Sequence, residues 1–152
     1  MISTALIDTP KLVIADEPTP GLDPRLARRA MEHFRQLADM GAAVLMITHD
    51  LELALDTADR IQVFYAGYTI EDEMAEDFAK EETLRHPYTR ALWRAMPKNG
   101  FHYIDGVQPY VRDMKPGCPF APRCEKCTDR CREKEVPWRL SGNGYVRCVY
   151  DT

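Results

Sequence analysis

The stretch LVIADEPTPGLDP, Leu12 to Pro24, constrains the chain more than any other. Its apolar residues run straight into two adjacent acids, Asp16 and Glu17, and a Pro/Gly turn then leads to Asp23. The continuously apolar KLVIA (Lys11–Ala15) suits a strand covered on both faces, as in a parallel sheet. Asp23-Pro24 predicts a helix start, with Asp at the N-cap and Pro at the first helical position. Leu26, Ala30, Phe34 and Leu37 follow at helical spacing, while Arg25, Arg28, Arg29, Glu32 and Arg35 fall on the other, solvated faces. Gly41 is a C-terminal stop, and AAVLMI (Ala42–Ile47) reads as a second buried strand. Strand, helix, strand is a βαβ unit with a right-handed crossover.

Further along, Leu51–Ala58 reads as a helix and RIQVFYAGYTIEDE as a hairpin turning at Ala66-Gly67. A charged helical stretch is expected near Ala75–Leu84. His86-Pro87 breaks it, and Pro87 starts another helix through about Ala95. Pro97, Asn99 and Gly100 end that helix. From Phe101 onward prolines, glycines and cysteines dominate and periodicity fades, which places a boundary near 85–100. His33 is expected on the surface, His86 to shape a turn, Trp93 to be packed and Trp138 to cover the cysteine-rich part; His102 carries no assignment.

Composition narrows the function classes. With 152 residues, 45% of them hydrophobic, the chain can bury a core. A net charge of −4 argues against a general nucleic-acid binder, which needs a basic face. No apolar run reaches the ~20 residues that span a bilayer, and ISTALID after Met1 lacks the basic and apolar regions of a secretory signal. The default compartment is the cytoplasm. All five cysteines lie between Cys118 and Cys148, and an odd, clustered set without a signal favours metal ligation over a disulfide framework.

In an open parallel sheet, ligands sit beyond the carboxyl ends of the strands. The first strand here ends in Asp16-Glu17 and the second in Thr48-His49-Asp50. If the strands are neighbours, two acids and a histidine share one rim, where they can hold Mg²⁺, orient a water and contact a phosphate. The bland alternative is a solvated turn beside a helix cap.

LVIADEPTPGLDP together with MITHD (Met46–Asp50) resembles the ATPase subunits of ABC transporters. The strand with Asp16-Glu17 looks like their Walker B motif, PGLD like the D-loop, and His49 like the switch histidine. The resemblance implies that Asp16 holds Mg²⁺, that Glu17 orients and deprotonates the attacking water, and that His49 contacts the γ-phosphate of ATP. It also implies that Asp23 reaches the opposing nucleotide site across a dimer interface. Pro20 departs from the Ser or Thr of many relatives. The sequence contains no G-x-x-x-x-G-K-[ST] phosphate loop and no LSGGQ-like signature. MISTALIDTPKL resembles the helix that follows that signature. The expectation is therefore that about half of the domain lies outside these residues, leaving an uncovered sheet face and negligible ATP hydrolysis by this polypeptide alone.

HPYTRALWRAMP (His86–Pro97) and KPGCPFAPRCEKCTDRC (Lys115–Cys131) look like the C-terminal extension of ATPase subunits of oligopeptide, dipeptide and nickel importers. That resemblance implies a 4Fe-4S cluster on Cys118, Cys124, Cys131 and Cys148, four thiolates being what such a cluster needs. Cys127 creates a second set, with Cys124, Cys131 and Cys148, that could hold zinc. Buried, unliganded thiols are the remaining option. A metal would staple a segment with few core residues.

The expected fold is α/β. A partial P-loop-type ABC ATPase domain, parallel strands with covering helices, spans 1–85, and a small irregular cysteine-rich extension spans 86–152. The expected function is part of the ATP-hydrolysing translocase subunit of a peptide or nickel importer, using ATP and Mg²⁺ at the cytoplasmic face of the membrane. Its expected partners are permease subunits, a second ATPase subunit and, indirectly, an extracytoplasmic substrate-binding protein, with no nucleic acid. The alternative is a freestanding Fe–S or zinc-binding interaction module that keeps an ATPase-like docking surface; a remnant that never folds stably is the third reading.

Overall fold

The computed structural model describes residues 10–150, so the resemblance read in the first nine residues lies outside the described ones. The chain divides into two compact units, Met1–Ala58 and Asp59–Thr152.

The first unit runs β1 (Leu12–Asp16), α1 (Pro24–Asp39), β2 (Ala43–Ile47), α2 (Leu51–Thr57). The start of α1 follows from Asp23, whose carboxylate accepts the backbone N–H groups of Arg25 and Leu26 at 2.9 and 3.0 Å, with Pro24 just inside the helix. β1 and β2 pair in parallel from Leu12↔Ala43 to Asp16↔Ile47. Ala30, Met31, Phe34 and Leu37 of α1 pack on Val13 and Ala15, with Val44, Met46 and Leu53 half-buried around them. Leu26, expected in the apolar stripe, is exposed, and Met31 takes its place.

The two-sided cover suggested by the apolar runs is corrected, and the uncovered sheet face expected from the resemblance is present. Alternate residues of a strand point to opposite faces, and α1 covers only the face that carries Val13 and Ala15. On the other, Leu12, Ile14, Leu45 and Ile47 remain 56%, 63%, 52% and 51% exposed.

The second unit opens with the hairpin β3 (Arg60–Tyr65) and β4 (Tyr68–Met74). Its turn residues, Ala66 and Gly67, both take positive φ, as a two-residue turn matched to strand twist requires. The stretch 75–84 forms 3₁₀ turns, Ala75–Ala79 and Glu81–Thr83, in place of the expected helix. There the Thr83 hydroxyl binds the carbonyls of Asp77 and Lys80, a local competitor to helical hydrogen bonding. The helix α3 (Pro87–Ala95) follows, capped by the His86 side chain.

Beyond Gly100 the chain is mostly irregular, but it contributes a short helix, α4 (Arg130–Glu133), and two strands the sequence does not signal, β5 (Arg139–Ser141) and β6 (Gly144–Val146). The antiparallel sheet has the order β3-β4-β6-β5. Its core gathers Ile61, Val63, Tyr65, Ile70, Phe78, Leu84, Phe120, Val136 and Val146. The division at Ala58/Asp59 differs from the boundary expected at 85/86, for two physical reasons. β4 pairs with β6 through Glu71↔Val146 and Asp72↔Tyr145. The Glu71 carboxylate also accepts the backbone N–H groups of Arg85 and His86 at 2.5 and 2.9 Å. Both tie the hairpin to the chain that follows it.

Candidate functional site

The parallel register places the ends of β1 and β2 side by side. The N–H of Glu17 donates to the carbonyl of Ile47 at 2.8 Å, extending the pairing one residue past β1. Glu17 then takes φ +44°, a left-handed conformation uncommon outside glycine, which ends the strand at this residue. On the other strand, the Thr48 hydroxyl accepts the N–H of Asp50, and Asp50 caps α2 by accepting the N–H of Leu53 at 3.0 Å. His49 is held between these two fixed points.

The result is one contact between residues 32 positions apart: His49 Nδ1 lies 3.0 and 2.9 Å from the two Glu17 carboxylate oxygens. Nδ1–H donates to the carboxylate, and Nε2 is left available to solvent or a ligand. The hydrogen bond to Glu17 raises the His49 pKa above its ordinary 6.5; the Glu17 and Asp50 charges raise it further, against a small opposing effect of burial. Chemically, this is an oriented carboxylate beside a histidine at an open strand end, suited to taking a proton from a water.

Asp16 ends β1 beside Glu17 and is exposed. Asp23 is placed elsewhere, at the start of α1, where its Oδ1 is committed to capping. Among the described residues, no hydrogen bond or ion pair joins it to Glu17 or His49. The structure thus brings Glu17 and His49 together, sets Asp16 next to them in sequence, and does not bring in Asp23. Asp50 is a helix cap, and His49 meets the acid.

Among the described residues, no three His, Cys, Asp or Glu side chains are grouped so as to hold a metal ion. For the cysteines it is a correction. Neither Cys118, Cys124, Cys131 and Cys148 nor the set containing Cys127 closes on a single ion, which needs sulfurs at ~2.3 Å from one centre.

The thiols are nonetheless neighbours, and all five are free. Burial pushes the Cys118 thiol up to about 11, with the nearby Cys148, Cys124 and Cys131 adding to it. Cys124 and Cys148 are likewise raised, first by burial and then by other thiols of the group. Gly117 makes the closest approach possible. It takes φ +111°, and a Cβ there would collide with the Cys131 carbonyl, which accepts the Cys118 N–H at 2.7 Å.

Two features escape sequence reading. His86 does shape a turn, but it is also fully buried, with its pKa lowered by burial to about 4, and its Nε2 lies 3.7 Å from Cys118 Sγ. Glu71 and Glu73 are buried carboxylates on one face of β4. Burial, then the charges of Glu71 and Asp77, raise Glu73 to about 7 against the opposing Arg85 and Arg60. Trp138 pairs edge-on with Tyr145 at 6.2 Å, with Arg147 over its ring. Among the described residues, no helix is long and apolar enough to cross a membrane.

Residues 70–131 match the family described as oligopeptide/dipeptide transporter, C-terminal region. The chain is 38% identical over 154 residues to the dipeptide transport ATP-binding protein of Haemophilus influenzae, covering 97% of this chain and 46% of that protein. It is 39% identical to the dipeptide transport ATP-binding protein of Escherichia coli, covering 99% of this chain and 47% of the relative. To the oligopeptide transport ATP-binding protein of Bacillus subtilis it is 38% identical, covering 97% and 47%. The chain spans about half the length of the curated relatives it matches.

Proposed function

We propose that this chain is the C-terminal half of the ATP-binding subunit of an oligopeptide or dipeptide ABC transporter, and that it supplies the water-activating side of the ATPase site. The carrying observation is the Glu17–His49 contact at 2.9 Å, formed across two parallel strand ends. In this reading Glu17 accepts the proton of the attacking water, an effect worth ~10²–10⁴ in rate for a general base. His49 holds the carboxylate through Nδ1–H and presents Nε2 to the terminal phosphate of ATP. Asp16 would hold Mg²⁺, which when bound supplies positive charge against the phosphate oxygens. Asp23 first fixes α1, and its role towards an opposing site is part of the proposal.

The substrate class is peptides, with nickel as the narrower alternative. The proposed setting is the cytoplasmic face of the membrane, against permease subunits and a second ATPase subunit, with a substrate-binding protein on the far side. The 152 residues alone are proposed not to hydrolyse ATP, because phosphate binding needs a backbone loop this sequence does not contain.

The test is Mg²⁺-dependent ATP turnover by this chain combined with the phosphate-loop half of its subunit and the permease. Glu17→Gln is expected to cut turnover at least 10²-fold while ATP still binds. Unchanged turnover would remove Glu17 from the chemistry.

A further inference from the structure

We propose that Thr48 is a positioning residue for His49: its hydroxyl closes the turn that aims the His49 ring at the Glu17 carboxylate. The inference rests on the proposed role of Glu17 and His49 and adds to that pair a residue that touches neither the water nor the phosphate.

The pair needs such a device because the surroundings of the ring cannot steer it. The His49 side chain is 78% exposed and that of Glu17 39%. Between side chains so open to water, a charged contact contributes little by itself, because ordering both of them offsets the attraction. A ring this exposed also has too few packing neighbours to select one direction. Its direction has to come from the backbone on either side of His49.

That backbone is anchored on both sides. Before His49, β2 pairs with β1 as far as Asp16↔Ile47, and the Ile47 carbonyl accepts the Glu17 N–H at 2.8 Å. This bond ties the acid to the strand end that carries the histidine. After His49, the Asp50 carboxylate accepts the Leu53 N–H at 3.0 Å, and the Asp50 carbonyl accepts the Ala54 N–H at 3.0 Å. Asp50 is thereby fixed to α2. His49 is the joint between strand and helix, and one bond spans it: Thr48 Oγ1 accepts the Asp50 N–H at 3.1 Å. A hydroxyl bonded to the backbone two residues on is a local turn former. In threonine the branched Cβ restricts χ1, so the acceptor is held stiffly. Removing this bond frees the torsions of His49 between two anchored neighbours. A displacement of ~1 Å at a catalytic group can cost ~10²-fold in rate.

The experiment reads the ring directly, in the full 152-residue chain. Nitrogen NMR at alkaline pH, where the imidazole is neutral, shows which ring nitrogen carries the hydrogen, with His49 assigned by His49→Gln. Wild type is expected to hold it on Nδ1, facing Glu17. Thr48→Val keeps the branched shape and removes the acceptor. It is expected to move His49 towards the Nε2–H form that an unconstrained imidazole prefers, and Thr48→Ser is expected to return it to the Nδ1–H form. A loss of stability alone does not change the tautomer. In the subunit assembled with the phosphate-loop half, Thr48→Val is expected to cut turnover ~10-fold or more with the KM for ATP unchanged. A Thr48→Val ring that keeps the wild-type form, or a Thr48→Ser ring that follows Thr48→Val, overturns the role of Thr48. If Thr48→Val does not fold, Thr48→Ala, which lacks the acceptor and adds no bulk, decides by the same signature. A wild-type ring with its hydrogen on Nε2 overturns the geometry of the pair and this inference with it. Unchanged turnover in Glu17→Gln, with the tautomer still answering to Thr48, overturns the water-activating role and supports the positioning of His49 by Thr48.

Discussion

Glu17 and His49 each depend on a neighbour for their properties, so each predicts the other's behaviour. His49 is expected to titrate above 6.5 in an NMR titration of its ring protons, and Glu17→Gln is expected to bring it down. The charged pair exists below the raised pKa and is lost as pH rises through it. An unshifted His49 in the Glu17→Gln protein would separate the pair. Glu73 makes an opposite kind of prediction. Its carboxyl stays protonated in the fold up to about pH 7, whereas the unfolded chain ionises near 4.5. Stability of the second unit is therefore present below pH 4.5 and lost progressively as pH rises to about 7. Glu73→Gln is expected to flatten that slope and to raise stability at pH 8 in urea unfolding. The acid pair and the histidine were legible in the sequence, because residue types at two strand ends survive without knowing the fold. Glu73 was not legible, because nothing local says that an acid on β4 faces inward beside Gly144, where a Cβ would collide with its carboxylate.

Helix α1 was readable at its start because its signal is local: an Asp and a Pro in adjacent positions. Asp23→Ala is expected to cost about 1 kcal/mol in urea unfolding of the first unit, the usual worth of such a cap. An unchanged midpoint would mean that the cap bonds contribute nothing net. The stretch 75–84 misled for the same reason: its composition favours helix, but Thr83 binds nearby carbonyls instead. The strands β5 and β6 were hidden for another. They are three residues each, and only pairing, of β6 with β4 and of β5 with β6, makes them strands. Loop geometry shows the same dependence on distant partners. Gly117→Ala forces a side chain into the Cys131 carbonyl at a left-handed φ, so it is expected to loosen the Cys118–Cys131 contact. Faster alkylation of Cys118 and Cys131 by iodoacetamide, read by mass spectrometry, checks it; wild-type rates would show that the backbone relaxes without cost.

At the scale of the molecule, the first unit exposes an apolar sheet face that an isolated soluble domain ordinarily covers. Leu12, Ile14, Leu45 and Ile47 lie on it, opposite the face packed by α1. Relatives about twice as long as this chain offer a source for the cover: the residues they carry beyond the matched half. The two faces of β1 then respond differently to the same charge. Val13→Lys buries an unpaired ammonium against α1 and is expected to unfold the first unit in any context. Ile14→Lys faces outward in the 152-residue chain, where a strand surface substitution costs up to about 1 kcal/mol. If the longer subunit covers that face, Ile14→Lys there meets the same burial cost as Val13→Lys. Urea unfolding of both variants, in this chain and joined to the phosphate-loop half, measures the difference. An Ile14→Lys protein equally stable in both contexts would mean that nothing docks on this face and that the carboxylate–histidine pair gains its phosphate-binding partner from another direction.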